Sequence, residues 1–241
     1  MSSPDRNRLP TSVVPSHYEL ELAPDLDAAS FEGTVAIDVT VHVETREVVL
    51  HALDLEVAEI WLHQGDRRID ATPSFDEASE TMALDLVEPA EPGDWVIEAR
   101  FAGELNSMLV GFYRSSFTND AGETQHLACT QFESTHARRA FPCFDEPSFK
   151  ATFGVRLVVP EDLMAISNAA EVHVEPLDNG RKRVRFAPTM CMSTYLVAFV
   201  VGPLEATAPV DVDGVPLRVI TPPGMAELTP FALDVGAFSL R

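Results

Sequence analysis

Lysine is nearly missing from this 241-residue chain: of 17 basic residues only Lys150 and Lys182 are lysines, and the rest are arginines. Compositional bias accounts for that better than mechanism. Cysteine is scarce as well. Cys129, Cys143 and Cys191 are too far apart for a C-x-x-C knuckle, and their odd number argues against a disulfide framework. Buried free thiols are expected. The seven histidines are scattered, and none falls in an H-E-x-x-H pattern, so no zinc helix is expected here. Long apolar runs are absent too. The longest, Tyr195 to Val201, falls far short of the roughly 18 residues that span a bilayer, and Met1 to Pro10 contains no apolar core of a signal peptide. A soluble, cytoplasmic chain with no membrane association is expected. Positive charge is also outnumbered, 17 basic against 38 acidic residues, a net charge of −21. Such a balance repels phosphates, which makes nucleic acid a poor partner.

What the chain has in quantity is period-2 alternation. Val35, Ile37, Val39, Val41 and Val43 are apolar, while Ala36, Asp38, Thr40, His42 and Glu44 face the other way, a strand with one packed and one wet side. Similar runs are Tyr18 to Leu22, Val48 to Leu50, Met82 to Leu86, Trp95 to Phe101, Phe153 to Val159, Val172 to Val174, Val184 to Phe186 and Tyr195 to Val201. Turn residues such as Gln64-Gly65-Asp66, Glu91-Pro92-Gly93-Asp94 and Asp178-Asn179-Gly180 separate them. The pattern predicts a mainly β fold, an antiparallel saddle-like β-sandwich.

The pattern changes near Glu205. A connection over 205–216 leads to one predicted strand, Leu217 to Thr221, and the turn Pro222-Pro223-Gly224. Leu228, Phe231, Ala232, Val235 and Phe238 then recur at helical spacing and predict an amphipathic helix. The apolar stripe is still running at Arg241 with no capping residue, from which a truncated second domain is expected. The expected division is an N-terminal tail over 1–10, a β domain over 11–204 and the beginning of another domain over 205–241.

Residues 108 to 168 break the alternation and set polar and ionisable residues beside aromatics, an irregularity that marks a candidate functional region. Here Gly111-Phe-Tyr-Arg-Ser, Thr130-Gln-Phe-Glu-Ser-Thr, Ala137-Arg-Arg-Ala-Phe-Pro-Cys-Phe-Asp-Glu-Pro-Ser-Phe-Lys-Ala-Thr-Phe, Ile166-Ser-Asn and Met192-Ser-Thr-Tyr-Leu-Val-Ala-Phe-Val-Val-Gly follow in order. Together they resemble the N-terminal domain of the aminopeptidase N family of zinc metallopeptidases, across residues 8 to 241.

The resemblance implies that the β domain ends near Pro203 and that residues beyond it open an α/β thermolysin-like catalytic domain. It implies zinc as cofactor, activating a water with a glutamate as general base. Those zinc ligands would lie outside this chain, which by itself would bind no zinc and hydrolyse nothing. Peptides would be bound through their free N-terminus, and the missing catalytic domain would be the partner. Glu133 matches the carboxylate that holds the substrate's α-ammonium, and Gln131 the glutamine lining the pocket for the first side chain. In an extended segment the two point to one side, with Phe132 pointing into the packing.

Other residues of the region carry plainer readings. Asp145-Glu146-Pro147 is a rigid turn whose acids are expected to pair with Arg138 or Arg139. His136 has no nucleophile placed beside it, and Cys143 is a packing residue. Arg181 to Arg185 is the charged face or edge of a hairpin strand. Rival readings remain at this point: a leukotriene-hydrolase-like enzyme, disfavoured by Glu133 where that enzyme's motif resembles Gln-x-Gln, an inactive relative acting as a scaffold, and an unrelated β-sandwich binding module.

Overall fold

The structure, a computed structural model, describes residues 8–119 and 121–241. Most of the expected tail over 1–10 therefore lies outside the described residues, as does Asp120 in the polar turn after Thr118. The strands are β1 Val13–Asp25, β2 Ser30–Val41, β3 Thr45–His51, β4 Leu55–Gln64, β5 Arg67–Asp76, β6 Thr81–Ala90, β7 Gly93–Glu104, β8 Gly111–Thr118, β9 Thr124–Gln131, β10 Thr152–Pro160, β11 Met164–Ser167, β12 Glu171–Leu177, β13 Arg181–Phe186 and β14 Phe199–Gly202. Four short strands follow, β15 Glu205–Ala206, β16 Val210–Val212, β17 Val215–Leu217 and β18 Ile220–Thr221, before the helix α1, Thr229–Leu240. No helix among the described residues is long and apolar enough to cross a membrane.

The expected β architecture is what forms. Ten strands make one sheet in the order β12-β13-β10-β1-β2-β7-β4-β5-β6-β3, and β11-β14-β9-β8 make a second. The alternation of β2 holds for Val35, Ile37, Val39 and Val41, which are buried while Asp38 is exposed, but not for Val43, because β2 ends at Val41 and Val43 stands 62% exposed in the bend beyond it. One pair, β1 with β10, runs parallel, with His17 opposite Thr152. The large sheet changes partner along β5, whose Arg67–Asp70 half pairs with β4 and whose Ala71–Asp76 half pairs with β6. The small sheet packs against the large one.

Aromatic rings make the contact. Phe31 of the large sheet meets Phe112 of β8 at 5.3 Å, and Phe112 meets Phe199 of β14 at 4.8 Å. Phe199 continues to Phe132 at 5.8 Å, Phe132 to Phe141 at 6.0 Å, and Phe141 to Tyr18 at 6.2 Å, while Tyr18 stacks on Phe153 at 4.7 Å. Each edge-on or offset pair adds about 0.5–1.5 kcal/mol to the burial of its rings. Small residues let such rings lie flat against the strands. A Cβ on Gly33 would sit 2.7 Å from both Leu22 Cδ2 and Phe101 Cζ. Gly33→Ala is therefore expected to lower stability by about 1–3 kcal/mol, read as a drop in the urea unfolding midpoint at unchanged slope.

Three expectations need correction. Tyr195 to Val201 is not one strand: Thr194–Leu196 forms a 3-10 turn, and β14 begins only at Phe199. The Asn168 side chain holds this break, donating to Leu196 O at 2.8 Å and accepting from Ala198 N at 2.8 Å. The strand expected over Leu217 to Thr221 is split between β17 and β18, because 210–217 closes as its own hairpin and β15 pairs with β18. The helix α1 forms, but it is not amphipathic. Phe231 and Phe238 are 78% and 82% exposed, and apolar Leu233, Ala237 and Leu240 occupy its other sides. Gly236 lies close to the β16–β17 hairpin, where an added Cβ would stand 3.0 Å from Leu217 Cδ2.

Candidate functional site

The irregular stretch resolves into two parts with different jobs. Residues 137–149 knit the sheets together. Arg138, buried, donates from Nε to Asp145 Oδ2 at 3.1 Å, from Nη2 to Asp145 O at 3.2 Å and from Nη1 to Glu80 Oε2 at 2.8 Å. Thr194 Oγ1 donates to the other Asp145 oxygen at 2.6 Å. The Asp145 N–H donates to His51 Nδ1 at 3.2 Å, and the Phe144 N–H donates to the Tyr18 hydroxyl at 3.1 Å. Glu146 accepts from Leu9 N at 2.6 Å and from Arg8 Nη1 at 3.1 Å. The expected pairing of this turn's acids with Arg138 or Arg139 thus holds for Asp145. Glu146 turns instead to the first described residues, while Arg139 pairs with Asp54.

Burial tunes the groups in this knot away from reactivity. It pushes the Cys143 thiol well above its usual value, with the Asp145 carboxylate adding to the effect. It likewise raises the Tyr18 phenol, and it lowers His51 to about 4, with the Arg138 guanidinium beside it contributing. A neutral thiol in full burial is no nucleophile, so Cys143 is packing, as read. The expectation of buried thiols fails for the other two: Cys129 is half-buried and Cys191 is exposed. Arg181 to Arg185 form β13, one strand in from the edge, with Arg183 bonded to Glu21 at 2.9 Å and to Glu175 at 2.7 Å.

The second part is the end of the β8–β9 hairpin. Gln131 is the last residue of β9, opposite Gly111, and its side chain is exposed. Phe132 is 2% exposed, held edge-on between Phe141 and Phe199. Glu133 is exposed again, the peptide joining it to Ser134 is cis, and the His136 N–H closes the turn on Phe132 O at 2.8 Å. Gln131 and Glu133 therefore flank an anchored ring, both out of the core. No ion pair engages the Glu133 carboxylate among the described residues, although Arg138 and Arg139 follow it closely in sequence. Both arginines are committed elsewhere by Glu80, Asp145 and Asp54. An unoccupied carboxylate beside an amide can accept from a cation and exchange hydrogen bonds with a polar neighbour.

His136 has no nucleophilic side chain bonded to it among the described residues. Nor do these residues fit the zinc that the resemblance implies: among the described ones no three His, Cys, Asp or Glu side chains gather as ligands do. Sequence reasoning passed over Met108 and Leu109, which stand exposed on the loop entering β8. Their signal is an apolar pair in a connection where polar residues prevail.

The small sheet thus ends in an exposed amide and an exposed carboxylate. The chain belongs to the peptidase M1 family, whose N-terminal domain matches residues 14–196. Among its relatives, the puromycin-sensitive aminopeptidase of Caenorhabditis elegans is 42% identical over 231 residues, 95% of this chain and 24% of that protein. Aminopeptidase M1-D of Oryza sativa is 43% identical over 97% of this chain and 26% of its own length. Aminopeptidase N of Acetobacter pasteurianus is 35% identical over 94% of this chain and 62% of its own. The chain spans about a quarter of the length of the first two.

Proposed function

We propose that this chain is the N-terminal portion of a zinc-dependent aminopeptidase that releases N-terminal amino acids from peptides in the cytoplasm. In this reading residues 11–204 are the β domain and residues 205–241 begin the catalytic domain, which brings the zinc ligands and is this chain's partner. Gln131 and Glu133 are one wall of the substrate site. The observation that carries the reading is the Glu133 carboxylate, left without a counter-ion among the described residues while Asp145 and Glu146, later in the same irregular stretch, are engaged. An α-ammonium, with a pKa of about 8, is charged at neutral pH and gives that carboxylate a charge-assisted hydrogen bond. Internal peptide bonds present no such cation, so the contact favours chain ends. Gln131, uncharged, meets the first residue without competing for the ammonium.

Glu133→Gln keeps the shape and removes the charge. In the longer protein it is expected to lower kcat/KM for an aminoacyl amide by about ten- to a hundredfold, the loss of one hydrogen bond between charged groups. An unchanged kcat/KM overturns the assignment. Residues 1–241 supplied with zinc are expected to release no chromophore from the same amide, and turnover by them that Glu133→Ala abolishes would overturn the division of labour.

A further inference from the structure

The arginine-rich strand β13 takes no part in the site described above, yet its outward face lines a recess. Arg183 and Arg185 lie two residues apart and so share one face of the sheet. Across the neighbouring strands His173 of β12 stands opposite Arg185, Arg185 opposite Arg156 of β10, and Arg156 opposite Glu21 of β1. These residues and Glu175 surround a space of about 470 Å³. Three arginines meet two carboxylates there, a local excess of positive charge in a chain whose net charge is −21.

The carboxylates in reach are committed. Arg183 donates from Nε to Glu21 at 2.9 Å and from Nη1 to Glu175 at 2.7 Å. Arg156 pairs through Nη2 with Glu19 Oε2 at 2.6 Å, and Glu19 is fixed in that position. Its Oε1 meets His17 Nε2 at 3.1 Å and lies over Gly154, where a Cβ would stand 2.6 Å from it. No hydrogen bond or ion pair engages the Arg185 side chain or the His173 ring among the described residues, and both are exposed. Arg185 is thus an unmatched cation directly opposite Arg156, and like charges so placed across two strands repel. An anion between them relieves that repulsion.

We propose that this recess binds a phosphate group, as inorganic phosphate or as a phosphomonoester, with Arg185 as its main contact. The guanidinium fork presents paired N–H donors whose spacing matches two oxygens of the group, and such charge-assisted bonds are about twice as strong as neutral ones. A ring nitrogen of His173 can donate to a third oxygen. Arg156, already paired with Glu19, adds positive charge from the other side. A phosphomonoester brings about −1.5 to −2 charges at pH 7, more than a carboxylate can supply.

Calorimetric titration of the longer protein at constant ionic strength tests this, with inorganic phosphate and a phosphoserine peptide as separate probes. At least one is expected to bind with a Kd of about 1 mM or tighter, as a few hydrogen bonds to a charged group give. Arg185→Gln removes the charge and the fork and is expected to weaken binding about tenfold or more. Arg185→Lys, which keeps the charge, is expected to weaken it less. Glu175→Gln releases one of the two carboxylates that hold Arg183 and is expected to tighten it. Both positions are exposed, so without phosphate these variants are expected to keep the thermal midpoint of the unaltered protein. Phosphate held by the proposed zinc would not respond to Arg185. An affinity that Arg185→Gln leaves unchanged therefore overturns the proposal, as does the failure of both probes to bind. Where Arg185→Gln does abolish binding, a tighter peptide assigns the recess to a phosphomonoester, and a peptide no tighter than inorganic phosphate assigns it to the free ion.

Discussion

Replacing Arg138 with leucine is expected to lower the stability of this domain by about 3–5 kcal/mol, the range for breaking a buried ion pair by removing one partner. Asp145 keeps only 1% of its side chain exposed, so without Arg138 its charge has no water to turn to. The guanidinium does more than neutralise. Its Nε and Nη2 reach the carboxylate and carbonyl of Asp145 from one plane, and Nη1 spans to Glu80 in the turn before β6. A lysine offers one point charge for those three directions, so Arg138→Lys is expected to recover less than half of the loss. The surface pair Arg67–Glu88 has a similar separation, 3.1 Å, but Glu88 is exposed and Arg67 only half-buried. There Arg67→Ala is expected to change stability by no more than about 1 kcal/mol. Urea unfolding at pH 7 measures all three, and a loss below about 1 kcal/mol for Arg138→Leu overturns the role given to this knot.

The division between that knot and the exposed Gln131–Glu133 pair shows what could be read without coordinates. Strands with one buried and one wet face, such as β2 and β7, announce themselves through alternation. The strand β5 does not: of its ten residues only Ile69 is buried, and it changes partner halfway. The parallel pairing of β1 with β10 brings together residues such as Tyr18 and Phe153, far apart in sequence, which local patterning cannot report. In the irregular stretch, polar residues beside aromatics suggested function as a whole, yet most of them are there for cohesion. Arg138 and Asp145 satisfy one another, and Glu146 satisfies the Leu9 N–H, in the core. Glu133 resembles any of the 38 acids until its motif is recognised and its neighbours are seen to be occupied. The helix α1 misled for a physical reason: residues at i, i+3, i+4 and i+7 mark an apolar stripe only if the remaining faces are polar, and here they are not.

The same knot makes stability depend on pH through His51, and lowering the pH from about 6.5 to about 4 is expected to remove about 3 kcal/mol through this one group. His51 is buried beside Arg138, and both the loss of water and the neighbouring cation oppose its protonation, lowering it from 6.5 to about 4. In the unfolded chain the imidazole titrates at its ordinary value. As the pH falls, the unfolded state therefore takes up a proton before the folded state does, and the balance shifts toward unfolding. The contribution is fully present above about pH 6.5, is lost as the pH falls toward 4, and changes no further below that value. At about 1.4 kcal/mol for each pH unit of separation, the total is about 3 kcal/mol. Protonation also removes the lone pair on Nδ1 that accepts the Asp145 N–H. His51→Asn can place its Oδ1 near that position and does not titrate, so it should keep the hydrogen bond while losing the pH dependence. Carboxylates protonate in both proteins, and their effect cancels in the difference between the two curves. The measurement is the urea midpoint of each protein at half-unit steps from pH 4 to 7.5, with the gap between them narrowing or reversing by about 3 kcal/mol toward acid. Parallel curves would mean that His51 titrates in the folded protein as it does in the unfolded chain, and the lowered value assigned to it would be wrong.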